Sequence, residues 1–241
     1  MRYGIFSDIH GNLEALAEVL VALKKESINT CLCLGDIVGY GADPQKCIEI
    51  VKNTAVKIIA GNHDWAVIEK IKITHFNIFA QEAVLWTKDH LHPQGKQFLE
   101  NLPLRIDDPD FIMVHGTLQS PEEFYYLTDK YQAAQTFYLM DRPICFVGHT
   151  HIPQIILEYQ DQIYLEALMT IDLKPLTKYI VNVGSVGQPR DGNPQAAYCV
   201  YDSLKKTIKI NRVKYNIAKA QRKILRAGLP EFLAERLEIG Q

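Results

Sequence analysis

No stretch of this chain holds the run of about 20 apolar residues that a membrane-spanning helix needs, so a membrane span is not expected. The opening "MRYGIFSDIHGN" passes from Met1 to a polar loop within eight residues. It lacks a basic segment followed by a long apolar one, so a secretory signal is not expected either. An excess of one charge is also missing. Lys and Arg number 26 against 28 Asp and Glu, a formal net charge of −2, which gives no whole-molecule attraction to nucleic acid or anionic lipid. Cysteine is sparse and odd in number. Cys31, Cys33, Cys47, Cys145 and Cys199 lie mostly inside apolar runs, a pattern of buried thiols in a reducing cytoplasm. Cys31-x-Cys33 within "TCLCLGD" reads as two such thiols rather than a metal or redox pair. Internal repeats, low-complexity tracts and linkers are absent, and the expectation is one domain over residues 1–241.

What is present is a core-forming composition, 47% hydrophobic in 241 residues, and a recurring unit. A short Ile/Val/Leu-rich run ends in Gly, Asp, Asn or His, and an amphipathic stretch often follows. "RYGIF" leads into Ser7-Asp8-Ile9-His10-Gly11, then Leu13, Leu16, Ala17, Leu20 and Leu23 recur at helical spacing. "TCLCL" leads into Gly35-Asp36, and Asp43-Pro44 predicts the start of a second helix, with Asp as N-cap. "VKIIA" leads into Gly61-Asn62-His63-Asp64, "FIMV" into His115-Gly116, and "ICFV" into Gly148-His149-Thr150-His151. Residues 77–101 predict one or two helices broken at His92-Pro93. Alternating strands are expected at 154–159, 163–168, 178–183, 196–201 and 206–213, with helix over 215–239 broken at Gly228–Pro230. Together these give an α/β fold with a mixed sheet.

Five apolar runs therefore end in groups able to bind a metal: Asp8 and His10; Asp36; Asn62 with His63; His115; His149 and His151. Five of the eight histidines sit there. Singly, each is an ordinary turn or hydrogen-bonding residue. Together they converge if the strands are parallel, because ligands in open α/β sheets bind just past the strand C-termini. Asp, Asn and His without Cys suit Mn, Fe, Co, Ni or Zn. With His63 set aside the ligands number seven, more than one tetrahedral Zn takes, but suited to two metals sharing a carboxylate. Such a centre clamps a phosphoryl group and activates a bridging hydroxide.

These motifs, with Gly35-Asp36-Ile37-Val38-Gly39-Tyr40-Gly41 and the later "NVGSVGQPRDGNP", resemble the calcineurin-like metallophosphoesterase superfamily, in particular its small prokaryotic phosphodiesterase-like members. The resemblance implies a four-layer αββα sandwich of two mixed β-sheets flanked by helices. It implies that Asp8, His10 and His151 hold one divalent ion, that Asn62, His115 and His149 hold a second, and that Asp36 bridges them. Mn²⁺ is foremost for both, with Fe, Co, Ni or Zn as alternatives. His63, oriented by Asp64, would contact the phosphate or protonate the leaving oxygen. The implied activity is hydrolysis of a phosphodiester of a nucleotide or related small molecule. A phosphomonoesterase, a dinucleoside polyphosphate hydrolase, and a non-catalytic protein-interaction scaffold of the same fold are the alternatives.

Three weaker signals remain. Arg190 is a candidate phosphate contact or a solvated loop residue. Tyr125 or Tyr126 lines a substrate pocket or packs on a helix layer. Substrate-cap elements are expected within 70–100 and 117–140. The stretch Lys205–Arg226 holds nine Lys or Arg and no acid. It reads as a solvated surface, with nucleic-acid binding as the sharper alternative.

Overall fold

The computed structural model describes residues 1–166 and 169–241. Strand β1 (Arg2–Phe6) leads through helix α1 (Leu13–Lys25) to β2 (Thr30–Cys33), and through α2 (Pro44–Thr54) to β3 (Ala55–Ile58). Both crossovers return the chain to a parallel neighbour. Helix α1 starts where Asn12 accepts a hydrogen bond from the Ala15 N–H (3.1 Å), and Lys24 and Lys25 face the negative end of its dipole. Three helices follow, α3 (Asn62–Val67), α4 (Ile78–His90) and α5 (Pro93–Glu100), the last two parted at His92-Pro93 as the sequence predicts. Then come β4 (Arg105–Asp107), β5 (Phe111–Val114), α6 (Lys130–Leu139), β6 (Ile144–Val147), β7 (Gln154–Tyr159), β8 (Gln162–Glu166) and β9 (Thr170–Asp172). The chain continues through β10 (Lys178–Asn182), β11 (Ala196–Asp202), β12 (Thr207–Val213), α7 (Ile217–Arg226) and α8 (Glu231–Ile239).

The strands form two six-stranded mixed sheets, ordered β3-β2-β1-β11-β12-β9 and β4-β5-β6-β10-β7-β8. Their alternation explains the layers. In β5, Phe111 and Met113 face the other sheet, where they join Ile5, Leu32, Phe146 and Tyr201 in one buried cluster. Ile112 and Val114 face the opposite way, against Ala133 and Phe137 of α6. A strand covered on both faces needs an unbroken apolar run, and "FIMV" and "ICFV" are that run. On the outside of the first sheet, Leu16, Val19 and Leu23 of α1 and Ile48 and Val51 of α2 pack on Cys33 and Val200. Each large side chain removed from water in these clusters contributes roughly 1.5–3 kcal/mol. The result is helix, sheet, sheet, helix, the architecture implied by the resemblance.

Two three-residue strands, β4 and β9, have no expectation behind them, because segments so short are made by pairing to β5 and β12 rather than by their own pattern. The strand expected over 163–168 is observed as Gln162–Glu166, and residues 167 and 168 lie outside the described residues. Asp43 precedes α2 as expected, but its side chain makes no capping hydrogen bond. Instead it pairs with Lys223 of α7 at 2.5 Å.

That pairing also places the basic stretch. Lys223 lies 2.7 Å and Lys219 3.1 Å from the buried carboxylate of Glu14 in α1, and Arg212 pairs with Asp191. Three of the nine basic residues are thus taken by internal ion pairs on different elements, so the stretch does not form one patch. Burial alone would raise the Glu14 carboxyl, but Lys223 and Lys219 hold it below the ordinary glutamate value. A carboxyl held low in the folded state stabilises fully above its unfolded value and loses that effect as pH falls through the folded one. Glu14→Gln is therefore expected to destabilise the protein by about 1–2 kcal/mol at neutral pH. In urea unfolding followed by circular dichroism, the difference should close as pH is lowered through the carboxyl's titration.

Candidate metal centre

Strands β1, β2 and β3 run parallel in one sheet, and β5, β6 and β10 run parallel in the other. Their C-terminal ends open on one rim, and every expected ligand stands there. The loops after the strands are tied together within each sheet, and the His149 N–H joins the two sheets. Asp8 N–H donates to Gly35 O (3.1 Å), His10 N–H to Asp36 O (2.9 Å) and Gly148 N–H to His115 O (2.9 Å). His149 N–H donates to the Asp8 carboxylate at 3.1 Å. Gly148 must lack a side chain: a Cβ there would stand 2.2 Å from Ser7 Oγ and 2.5 Å from Asp8 Oδ2. A Cβ on Gly61 would fall 2.1 Å from Asp36 Oδ1.

Asp8, His10, Asp36, His149 and His151 all adopt left-handed backbone conformations, with φ between 50° and 68°. Asp and His visit this region more readily than most residues, yet each such position costs of order 1–3 kcal/mol. Strain concentrated in candidate ligands marks a region shaped for chemistry rather than for stability.

The side chains form two groups. Asp8, His10, Asp36 and His151 each offer a ligand atom within 4.8 Å of the others, and so do Asp36, His115 and His149. Asp36 belongs to both. Its Oδ1 accepts from the His63 N–H at 2.8 Å, which leaves Oδ2 3.3 Å from His115 Nε2 and 3.6 Å from His10 Nε2. All seven candidate ligands are at most 7% exposed. Asn62 reaches the rim from the first residue of α3.

Three of the imidazoles are fixed by backbone carbonyls. His10 Nδ1 donates to Val38 O (3.1 Å), His115 Nδ1 to Leu34 O (2.7 Å) and His151 Nδ1 to Gln188 O (2.6 Å). A carbonyl only accepts, so each Nδ1 carries the proton and each Nε2 presents a lone pair to the rim. His10 Nε2 and His151 Nε2 then face one another at 3.1 Å. Two neutral rings so placed repel unless a cation or a proton lies between them. In the second group the Asn62 Oδ1, His115 Nε2 and His149 Nε2 atoms are buried without a hydrogen-bond partner. Orphaned lone pairs of this kind each cost about 1–3 kcal/mol in a packed interior. The donor set is O and N without sulfur, so the residues fit divalent transition ions.

The electrostatics agree. Burial would raise Asp8, but His151 and His115 hold it well below the usual carboxylate range, and His115 and His63 do the same for Asp36. Burial works against charging His115, but Asp36 and Asp8 raise it to about 9. Burial, with His115 beside it, lowers His149 to about 3. Two buried carboxylates thus draw positive charge into the rim.

Beside the second group a cavity of about 600 Å³ opens, lined by Asn62, His63, His149, Tyr40, Phe76 and Tyr126 among others. Both expected cap segments supply walls, Lys72, His75 and Asn77 from one and Glu122 and Glu123 from the other. Two expectations need correction. Asp64 does not orient His63. Its carboxylate accepts from the N–H groups of Ile37 (2.9 Å), Val38 (3.2 Å) and Gly61 (3.0 Å), while His63 Nδ1 is buried with no partner. Asp64 instead ties the Asp36 loop to the start of α3. Tyr125 also lies apart, its side chain among Thr117, Gln119 and Tyr131. Its neighbour Tyr126 is the one that stacks on His149, with ring centres 3.9 Å apart.

Arg190 lies behind the cavity wall, its Nη2 3.4 Å from the hydroxyl of the lining residue Tyr40. Tyr40 itself packs on His10 and His63 at 4.7 and 4.5 Å. Sequence reasoning gave Tyr40 no role, although it lies inside a quoted motif. Ser185, whose hydroxyl donates to Asp8 O at 2.8 Å, was missed as well. The two-group geometry predicts distinct losses. After dialysis against Mn²⁺, His151→Ala and His149→Ala should each retain about one metal per chain, and Asp36→Ala should retain essentially none. Elemental analysis checks this, and loss of both ions in either histidine variant would contradict it.

Comparison with known proteins agrees with this geometry. Residues 1–206 match the calcineurin-like phosphoesterase superfamily domain. Over 241 residues, 98% of this chain and 97% of the relative, the chain is 41% identical to the uncharacterized protein MJ0912 of Methanocaldococcus jannaschii. A metallophosphoesterase from Sphaerobacter thermophilus, known from its crystal structure, is 38% identical with a TM-score of 0.87, covering 100% of this chain and 99% of that one. The hypothetical protein PH1004 of Pyrococcus horikoshii shares the fold, with a TM-score of 0.81 at 22% identity over 100% of this chain and 98% of that one. With its ligand-bearing strand ends gathered on one rim, the chain belongs to the calcineurin-like phosphoesterase superfamily.

Proposed function

We propose that this protein is a dinuclear metal-dependent phosphodiesterase of the cytoplasm, acting on a nucleotide phosphodiester or a related small ester, with Mn²⁺ as its metal. The observation that carries the reading is the set of lone pairs aimed at one rim without protein partners, with a cavity beside them. Asp8, His10 and His151 would hold one ion and Asn62, His115 and His149 the other, with Asp36, which belongs to both groups, shared between them. When bound, the ions polarise the phosphoryl oxygens and lower the pKa of water.

The rest of the chemistry belongs to the chain. Arg190 presents its guanidinium to the phosphoryl oxygens from beside Tyr40. His63, with its unpartnered Nδ1 and its place between Tyr40, His10 and the cavity, faces the leaving group. Burial lowers its pKa to about 4, with Arg190 adding to the effect, so a neutral ring with one N–H to offer is favoured. An anionic substrate beside it raises that pKa and prepares it to deliver a proton to the leaving oxygen. The cavity beside the site has room for the substituents of a diester. A phosphate with one small substituent leaves the space beyond His63 empty, whereas a second substituent fills it against Phe76, Phe124 and Tyr126.

His63→Asn is expected to slow hydrolysis of an alkyl diester by about 10²–10⁴. Bis(p-nitrophenyl) phosphate, whose leaving group needs no proton, should lose far less, and metal content should be unchanged. Equal losses on the two esters would remove the proton-donor role, and loss of metal would make His63 a ligand.

A further inference from the structure

The two candidate ion groups are not held alike. In the first, both imidazoles are anchored by backbone carbonyls, His10 on Val38 and His151 on Gln188. In the second, His115 is anchored on Leu34, but His149 has no such partner. Among the described residues its hydrogen bonds are those of its backbone N–H to Asp8, and its Nε2 is buried without a partner. Two rings touch the imidazole instead, His115 with 4.9 Å between centres and Tyr126 with 3.9 Å. The Tyr126 ring is nearly parallel to it, 16° between planes. It therefore covers one face of a ring that no hydrogen bond orients.

Tyr126 reaches that place because the segment before it is pressed onto the His115 turn. Gly116 allows the approach: a Cβ there would stand 2.7 Å from the Tyr125 carbonyl oxygen and 3.2 Å from the Phe124 carbonyl carbon. Ser120 and Phe124 both adopt left-handed backbone, with φ of 44° and 49°, a conformation that a residue as bulky as Phe rarely takes. Packing fixes Phe124 there. Its ring stands nearly perpendicular to Trp65 at 5.5 Å and to His115 at 6.0 Å, and it is buried. Phe124 thus anchors the segment, and Tyr126 is the residue that the segment delivers to His149. Tyr126 is 49% exposed, so it adds little to the core. What the strained segment secures is its contact with the imidazole.

We infer that Tyr126 is a positioning residue for the second ion. Its ring holds the His149 imidazole in place, the part that backbone carbonyls play for the other three histidines. A ligating imidazole free to turn about its side-chain bonds must be ordered when an ion binds, and groups that order it beforehand strengthen metal binding. The contact is ring against ring, so its strength follows the aromatic face rather than the hydroxyl. The consequence is an asymmetric centre. The first ion would be held by imidazoles fixed on backbone carbonyls. The second depends on a segment whose Glu122, Glu123, Phe124 and Tyr126 also wall the cavity. The inference rests on the two-ion reading, but metal binding tests it without turnover.

Calorimetric titration of the chelator-stripped full chain with Mn²⁺ separates the two ions, and His149→Ala marks which binding step belongs to the second group. Tyr126→Ala should weaken that same step by about tenfold, the lower end of what loss of an orienting group costs a metal site. The other step should be unchanged, and Tyr126→Phe should restore the weakened one. Equal weakening of both steps, which a merely loosened fold would cause, overturns the inference. So does no weakening of either, or a Phe variant as weak as the Ala variant. Failure of the two-ion reading would look different: the unaltered protein itself would take fewer than two ions.

Discussion

The constraint on which the rest of this structure depends is the burial of Asp36 and Asp8 together at the junction of two sheets. Among the described residues neither carboxylate meets a Lys or Arg; their ionisable neighbours are imidazoles. Isolated charges in such a place are costly enough that a protein neutralises, pairs or ligates them. The surrounding atoms are arranged for the last of these. Carbonyl groups of Val38, Leu34 and Gln188 take the Nδ1 protons, so the nitrogens facing the carboxylates are left as lone pairs. Protein groups alone leave that arrangement electrostatically incomplete, and its oxygen and nitrogen donors suit divalent cations.

Much of the fold can be understood as support for that incomplete cluster. The backbone strain at five candidate ligands is bearable because the inter-sheet core, with Phe111, Phe146 and Tyr201 fully or nearly fully buried, holds the strand ends in register. Asp64, though buried, spends its carboxylate on three backbone N–H groups and so fixes the loop that presents Asp36. The ion pairs of Glu14 and Asp43 with α7 brace the helices that follow the Asp8–His10 and Asp36 loops from outside. The geometry of the candidate ligands at the rim is thus over-determined from several directions, which is what preorganisation requires.

How much of this the sequence disclosed depended on which atoms carry it. The candidate ligands were legible because Asp, Asn and His are distinctive at the ends of apolar runs, and because parallel strands place equivalent ends together. The carbonyls that fix the histidines were not, since every residue has one and only the folded path decides which is near. Asp64 was misread for a related reason: adjacency in sequence suggested a side-chain pair with His63, but at the start of a helix consecutive side chains diverge. Tyr125 and Tyr126 could not be separated from sequence, because a turn rather than a periodic element sets which one faces the cavity. Strands β4 and β9 were invisible because pairing partners, not local pattern, create them. The position of α8 against the Arg190 loop depends on Gly240 and on packing around Tyr40, contacts that span much of the chain.

Anomalous diffraction at the manganese edge, from crystals of the Mn²⁺-loaded protein, tests the central claim most directly. The account predicts two peaks about 3.5–4 Å apart, one on each side of the Asp36 carboxylate. One would lie beside His10 and His151 and the other beside His115 and His149. A single peak, or two that do not share Asp36, would contradict it.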